Sequence, residues 1–376
     1  MRVLVVSGIW PPDVGGPASH ALDVAAFLRG RGHDVEVVVT ADVPPAPEPY
    51  PVRFVSRGLP TGVRHVMALA LVLRRARRAD VVYTTGMFGR SAVAALLARR
   101  PYVVKLTGDP AFERLRWRGV VGGDVEAFQR GGGGLQGAGL RALRGFTLRR
   151  AAFVFCPSAY LRELALGWGV APDRVAVLPN PAPVFRAAAS REELRAQFGF
   201  AGTALAFAGR LTAQKELPSL LDAVARVGGV TLALAGDGPE RSAVERGIAE
   251  RGLDGRVRLL GPLPRERVLE LFHAADAAVL SSAWENFPHT VVEALAAGTP
   301  VLSTAVGGVA EVVTDGVNGL LVPAGDVDAL AEAIRRFAGD EELRSRLRAA
   351  ASASVRAYAA EAVFGELEAM LRRAAA

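Results

Sequence analysis

Short runs of β-branched and aliphatic residues alternate with amphipathic stretches along almost the whole chain. From the N-terminus, RVLVVSG, DVEVVVT, ADVVYTTG and PYVVKLTG are apolar at successive positions, while residues 18–30, 62–78 and 90–99 between them carry apolar residues at helical spacing. Continuous apolar strands separated by helices predict a parallel sheet covered on both faces. Residues 111–146 break the rhythm, and their RGGGGLQGAGL segment reads as a mobile loop. AFVFCPS and a helix over 158–167 resume the pattern, and VAVLPNPAPVF ends the series in a proline-rich connection. A second series then follows: ALAFAGR, VTLALAGDGPE, VRLLGPL, AAVLSSAW, PVLSTAVGG and GLLVPAG alternate with helices over 215–227, 239–251, 264–274, 288–297 and 308–314. A helical region fills 326–374 and breaks near 350–357.

At 376 residues the chain exceeds the size at which one core keeps growing. The pattern therefore predicts an α/β protein of two Rossmann-like parallel-sheet domains facing a central cleft. Their spans are 1–183 and 184–356, with the C-terminal helix, about 357–376, packing back on the first. In such sheets ligands bind beyond the carboxyl ends of the strands.

Charge separates the two halves. Residues 1–183 carry 24 Lys and Arg against 13 Asp and Glu, whereas residues 184–376 carry 21 against 25. A basic half suits a phosphorylated substrate or an anionic membrane surface. Nucleic acid is not expected, because no helix-turn-helix, aromatic RNA-binding motif or zinc spacing is present. RHVMALALVLRRARRAD joins an apolar run to Arg74, Arg75, Arg77 and Arg78, as in a helix whose basic end rests on anionic headgroups; a core-packed helix with a solvated basic end is the plainer alternative. The lone Cys156 excludes an internal disulfide, and the N-terminus reads as a buried strand rather than a signal peptide. With no apolar run long enough to span a bilayer, the expectation is a cytoplasmic protein, peripheral at most at the inner face of the membrane.

Candidate chemistry gathers in the second half. In WENFPHTVVEALAAG, Glu293 is a lone carboxylate in an apolar helix expected to start near Pro288 and close at Gly298, and Glu285 lies eight residues earlier. A buried carboxylate needs partners, and an Arg of the same protein would serve. FAGRLTAQKEL sets Arg210 directly after a strand and Lys215 at the start of the next helix, where two cations suit a diphosphate. Lysine is scarce here, only Lys105 and Lys215 among 45 basic residues, which draws attention to both; Lys105, inside a strand, is equally well explained by chance. After the first strand, Gly15 and Gly16 precede a helix and offer backbone N–H groups to an anion, although an ordinary loop would look the same. Asp326 and Asp328 have D-x-D spacing but suit the capped N-terminus of VDALAEAIRRF, and the five His residues lack ligand spacing, so no metal site is expected.

In this order, FAGRLTAQKEL, LALAGDGPE, VRLLGPL, ENFPHTVVEALAAGTPV, AVGGVAEVVTDGVNGLLVP and GDVDALAEAI resemble the retaining glycosyltransferases of family 4 over nearly the whole chain. The resemblance implies the GT-B fold and transfer from a nucleotide-diphosphate sugar, without a cofactor or metal, to a glycan or lipid-linked acceptor. It implies that Glu293 holds ribose hydroxyls and Glu285 the transferred sugar. Arg210, Lys215 and the N–H groups around Asn286 and Phe287 would then stabilise the leaving diphosphate, and Gly15 and Gly16 match the family's N-terminal glycine loop. Departures are visible. Glu216 stands where the family usually has Gly, ENFPHT replaces a commoner Gly-Phe-Gly run, and Asp109 of VVKLTGDPAFE is the candidate for the position of an active-site His, or else an Asp of a Gly-Asp-Pro turn. A sugar-nucleotide 2-epimerase of the same fold, or a non-catalytic sugar-nucleotide-binding subunit, are the alternatives. A nicotinamide-dependent dehydrogenase would need G-x-G-x-x-G after its first strand, which this chain lacks.

Overall fold

The structure, a computed structural model, describes residues 1–13, 16–122 and 125–376. The chain forms two units, Met1–Asn180 with Glu361–Ala376, and Pro181–Ala360. The first crossing thus falls three residues before the expected 183/184 boundary, and the last helix belongs to the first unit.

In the first unit β1 (Arg2–Ser7), β2 (Asp34–Ala41), β3 (Val52–Ser56), β4 (Val81–Thr84), β5 (Tyr102–Lys105), β6 (Phe153–Cys156) and β7 (Val175–Val177) form one sheet in the order β3-β2-β1-β4-β5-β6-β7. Every pairing is parallel; Val3, for example, lies beside Val35 on one side and Val81 on the other. The central strands β4, β5 and β6 are buried at every position, as their unbroken apolar runs require. Strand β3 was not legible as one. It is an edge strand whose Arg53 and Phe54 stay exposed, so it lacks the apolar run of its neighbours.

The expected loop at 111–146 is a correction. Among its described residues the segment is largely helical, with helices Pro110–Trp117, Val125–Gln129 and Gly134–Leu148. Glycine lowers helix propensity, which is why the composition reads as loop. Here it permits close packing instead: a Cβ on Gly137 would sit 2.5 Å from the Gly132 carbonyl oxygen.

The terminal helix Ala360–Ala375 is held on this unit through Val363, Phe364, Leu367 and Leu371. Phe364 meets the rings of His20 and Phe27 at 5.8 and 5.5 Å. Among these apolar contacts sits Glu368, which accepts hydrogen bonds from His33 (2.9 Å), Arg31 (3.1 Å) and Arg372 (2.7 Å). Burial pushes its carboxyl up, but the bonds from His33, Arg372 and Arg31 outweigh it and hold the pKa at about 2.

The second unit repeats the plan with β8 (Thr203–Ala208), β9 (Val230–Ala235), β10 (Val257–Gly261), β11 (Ala277–Leu280), β12 (Val301–Thr304) and β13 (Gly319–Val322), all parallel, in the order β10-β9-β8-β11-β12-β13. The strand order reverses between β8 and β11, so the loops leaving these strands part to opposite faces and leave a crevice at the carboxyl edge. In the first sheet the reversal lies between β1 and β4. There Gly8 and Gly86 cross so closely that a Cβ on Gly86 would meet the Gly8 nitrogen at 2.6 Å.

Candidate active site at the β8–β11 switch point

Arg210 leaves β8 and residues 281–287 leave β11, so the sheet order alone makes neighbours of segments some 70 residues apart. After Arg210 the chain makes a 3-10 turn, Ala213–Lys215, that is tied to the β11 loop at three points. The Ala283 N–H donates to the Gln214 carbonyl (2.9 Å), Gln214 Nε2 to the Trp284 carbonyl (2.8 Å), and the Ser281 hydroxyl to the Lys215 carbonyl (2.7 Å). These bonds place Lys215 Nζ against Glu285 Oε1 as an ion pair. Ser282 Oγ donates to the same carboxylate oxygen at 2.7 Å, and the Ser282 carbonyl accepts from Thr304 Oγ1 at 2.7 Å. Both charged side chains are largely buried, Lys215 at 15% and Glu285 at 8% exposure. Pairing is what makes that burial tolerable, since either charge alone would be strongly destabilising.

Two backbone features frame the pair. Glu216 adopts the left-handed conformation (φ 46°, ψ 42°) between the turn and the helix Leu217–Ala225. A side chain there costs about 1–2 kcal/mol, which supplies a physical reason for the glycine that the sequence departs from at this position. Gly307, after β12, has φ 50°, and a Cβ on it would lie 1.6 Å from the Glu285 carbonyl oxygen. The β12 loop therefore presses backbone to backbone on the residue that carries the carboxylate.

Asn286, Phe287 and Pro288 lead from Glu285 into the helix His289–Ala296. Phe287 is core, edge-on to Tyr358 at 6.1 Å, and Pro288 is the N-cap rather than the first helical residue. The helix closes as expected at Gly298 (φ 78°), with Thr299 N–H to the Ala294 carbonyl and Gly298 N–H to the Leu295 carbonyl, both at 2.9 Å. Glu293 sits in this helix with its side chain 13% exposed, and Oε1 accepts from Arg265 Nε at 3.0 Å. Burial raises the pKa of Glu293 above the ordinary carboxylate value, and Arg265 offsets part of that rise. The Arg of the same protein that the sequence left open as a partner is thus present.

Lys215 and Glu285 are brought together, with Asn286 and Phe287 on the same loop as Glu285, while Arg210 is exposed two residues after the end of β8. Asp326 caps its helix by accepting from Ala329 N–H at 2.8 Å, and Asp328 pairs with Arg226. Gly15 lies outside the described residues, while Gly16 opens the helix Gly16–Gly30. Asp109 belongs to the first unit. One of its oxygens accepts from the N–H groups of Ala111 (2.9 Å) and Phe112 (3.3 Å), capping Pro110–Trp117, and the other accepts from Gln129 Nε2 (2.7 Å) and Arg144. Arg144 in turn stacks 3.9 Å above the Trp168 ring. One turn on, burial and the neighbouring Asp109 push Glu113 up to about 7, with Arg116 opposing. The other lysine, Lys105, is buried in the first core, donates to the Leu178 carbonyl, and is pushed by burial down to about 7. Sequence reasoning missed Gly307, Thr304 and Arg265. Only the Gly307-Gly308 doublet after a strand offered a signal.

Two family models match the chain, "Glycosyl transferase 4-like domain" over residues 15–181 and "Glycosyl transferases group 1" over residues 190–354. The chain belongs to the family 4-like glycosyltransferases, and its two parallel-sheet domains are those of the GT-B fold. The lipopolysaccharide core biosynthesis glycosyltransferase LpsE of Rhizobium meliloti is 40% identical over 139 residues, which is 37% of this chain and 40% of that protein. Glycogen synthase of Mycobacterium tuberculosis is 28% identical over 377 residues, covering 93% of this chain and 89% of its own. Among solved structures, Anabaena Alr3699/HepE in complex with UDP and glucose superposes with a TM-score of 0.81 at 23% identity, over 99% of this chain and 100% of that one.

Proposed function

We propose that the protein is a retaining glycosyltransferase that moves a sugar from a nucleotide-diphosphate sugar to a glycan or lipid-linked acceptor, the donor held by the second unit and the acceptor by the basic first unit. The observation that carries this reading is the Lys215–Glu285 pair at the mouth of the β8–β11 switch point, beside the N-terminus of His289–Ala296. Arg210, Lys215 and the N–H groups at Asn286 and Phe287 meet the diphosphate as the bond from the anomeric carbon to its oxygen breaks. Glu285 holds sugar hydroxyls and Glu293 the ribose, exchanging Arg265 for them. The acceptor oxygen attacks the face the diphosphate leaves, and its proton passes to the departing phosphate oxygen. Asp109, with both oxygens engaged within its own unit, acts by ordering helix Pro110–Trp117 at the carboxyl end of β5 rather than by touching the sugar.

The test is a thermal-shift panel of nucleotide sugars, beginning with UDP-glucose, followed by product anomer analysis with the donor that binds. A ligand at about 100 times its Kd should stabilise by roughly 2.7 kcal/mol. Turnover should persist in excess chelator, since cations and a helix N-terminus meet the phosphates. No shift with any sugar nucleotide, or a product of inverted configuration, would contradict the reading; loss on chelation with rescue by magnesium would return a metal to the site.

A further inference from the structure

Three helices of the first unit, Thr61–Ala76, Phe88–Ala98 and Gly134–Leu148, lie side by side, the second packing on both others. None of their residues is Asp or Glu. A helix favours a carboxylate in its first turn, yet none of the three has one. At the far end of each stands arginine: Arg74 with Arg77 and Arg78, Arg99 with Arg100, and Arg149 with Arg150. The helix dipole accounts for cations at these ends, but it argues against the missing acids.

The same helices expose apolar stripes. On the first, Val63, Val66 and Met67 are exposed at spacings of three and four, and Arg74 and Arg77 continue the stripe at helical period. On the second the exposed residues are Val93, Leu96 and Leu97, with Leu97 at 61%. On the third they are Leu135, Leu143 and Phe146, and the Arg150 guanidinium lies 3.7 Å above the Phe146 ring. Trp117, 80% exposed, ends the helix Pro110–Trp117 that packs on this third one. Among the described residues, the second unit leaves only Val184 and Val317 as exposed large apolar side chains. The basic end of helix Thr61–Ala76, with Arg74, Arg75, Arg77 and Arg78, is only part of this face. Arg75 turns inward to Glu36 at 3.4 Å, while two further helices join.

We infer that this three-helix face docks on an anionic bilayer surface, its apolar stripes entering the boundary between headgroups and acyl chains and its arginines meeting lipid phosphates. The charge pattern selects this occupant. A second copy of the chain would set one acid-free, arginine-bearing face against another, and an acidic polymer would leave the apolar stripes wet. A bilayer takes both at once, with the exposed Trp suited to its interface. The inference rests on the proposed acceptor reading only for its purpose, which is to bring the enzyme to a lipid-linked acceptor.

The test uses the full chain in flotation with vesicles of phosphatidylcholine, and of phosphatidylcholine and phosphatidylglycerol in equal parts, at low and high salt. Binding should appear with the anionic vesicles and fall with salt. Arg74→Gln with Arg77→Gln and Arg78→Gln should weaken it on the order of a hundredfold, and Val66→Glu with Leu97→Glu should abolish it. The thermal shift with nucleotide sugars should be unchanged in both variants, so a failure of docking is distinguishable from a failure of the donor site. Equal recovery away from both vesicle types at low salt overturns the inference, as does binding indifferent to the two Glu substitutions. Self-association lost in that double variant, without vesicle binding, assigns the face to a second copy and overturns it too.

Discussion

Replacing Gly307 with Ala tests whether the backbone contact behind Glu285 sets the geometry of the site. Two effects are combined in this substitution. The positive φ of 50° costs about 1–2 kcal/mol for any residue with a Cβ. The new Cβ would also lie 1.6 Å from the Glu285 carbonyl oxygen, where real contacts do not fall below 3.0 Å, so one of the two segments must retreat by about 1.4 Å. Gly298→Ala separates the effects, because Gly298 has φ 78° and nothing within 4 Å of its would-be Cβ. If the Lys215–Glu285 pair works where it stands, a shift of that size should cost on the order of a hundredfold in turnover. The Gly298 variant should lose only stability. The assays are release of nucleoside diphosphate with the donor identified by thermal shift, and the melting temperature of each variant without ligand. Gly307→Ala with turnover and melting temperature equal to those of Gly298→Ala would falsify the claim that this contact positions Glu285.

Lys215→Ala and Arg210→Ala should each cost turnover by about 2–4 kcal/mol of transition-state stabilisation. Only Lys215→Ala should also destabilise the second unit, by about 3–5 kcal/mol, because it strands the buried Glu285 whereas Arg210 is exposed; equal denaturation midpoints for the two variants would count against the pair. Glu216→Gly should stabilise by roughly 0.5–1 kcal/mol, the relief of the left-handed backbone less the added freedom of an unfolded glycine, read as a raised urea midpoint. The last helix should be acid-labile. The folded pKa of Glu368, about 2, lies below its ordinary 4.5, so its stabilisation is complete above the ordinary value and is lost as pH falls toward 2. Hydrogen exchange in Ala360–Ala375 should therefore rise across that window before the sheet opens, and Glu368→Gln should expose the helix already at neutral pH; an unchanged protection pattern in that variant would remove Glu368 from its role.

What the sequence disclosed follows from how local each feature is. The buried strands were legible because β4–β6 and β8–β9 are apolar at nearly every position, a signal held within a few residues. Strand β3 was not, since an edge position tolerates Arg53 and Phe54 in the open. The helix Gly134–Leu148 was hidden by its glycines, whose use shows only once Gly137 is seen against the Gly132 carbonyl and Arg144 against Asp109. Lys215 stood out as a rare lysine after a strand, and Glu285 as a carboxylate before a helix. Their pairing was invisible, because 70 residues separate them and only the strand order β8–β11 closes the distance.

The two carboxylates eight residues apart are held in different ways in the structure. Glu285 is held by a cation that is itself largely buried, with Ser282 on the same oxygen, and neither partner can leave without stranding the other. Glu293 meets Arg265, whose side chain is 41% exposed and can itself be rehydrated on leaving, so that only the buried Glu293 carboxylate then needs new partners. A ligand hydroxyl can therefore displace Arg265 from Glu293 far more readily than it can part Lys215 from Glu285. Burial already raises the pKa of Glu293, so a carboxylate losing its guanidinium would have to gain hydrogen bonds in exchange. A pair of ribose hydroxyls, as proposed, would supply them, whereas a phosphate, bringing more negative charge, would not. The charge balance around Glu293 thus favours a neutral polyol over an anion there, as the proposed placing of the diphosphate at Lys215, Arg210 and the N-terminal end of His289–Ala296 requires.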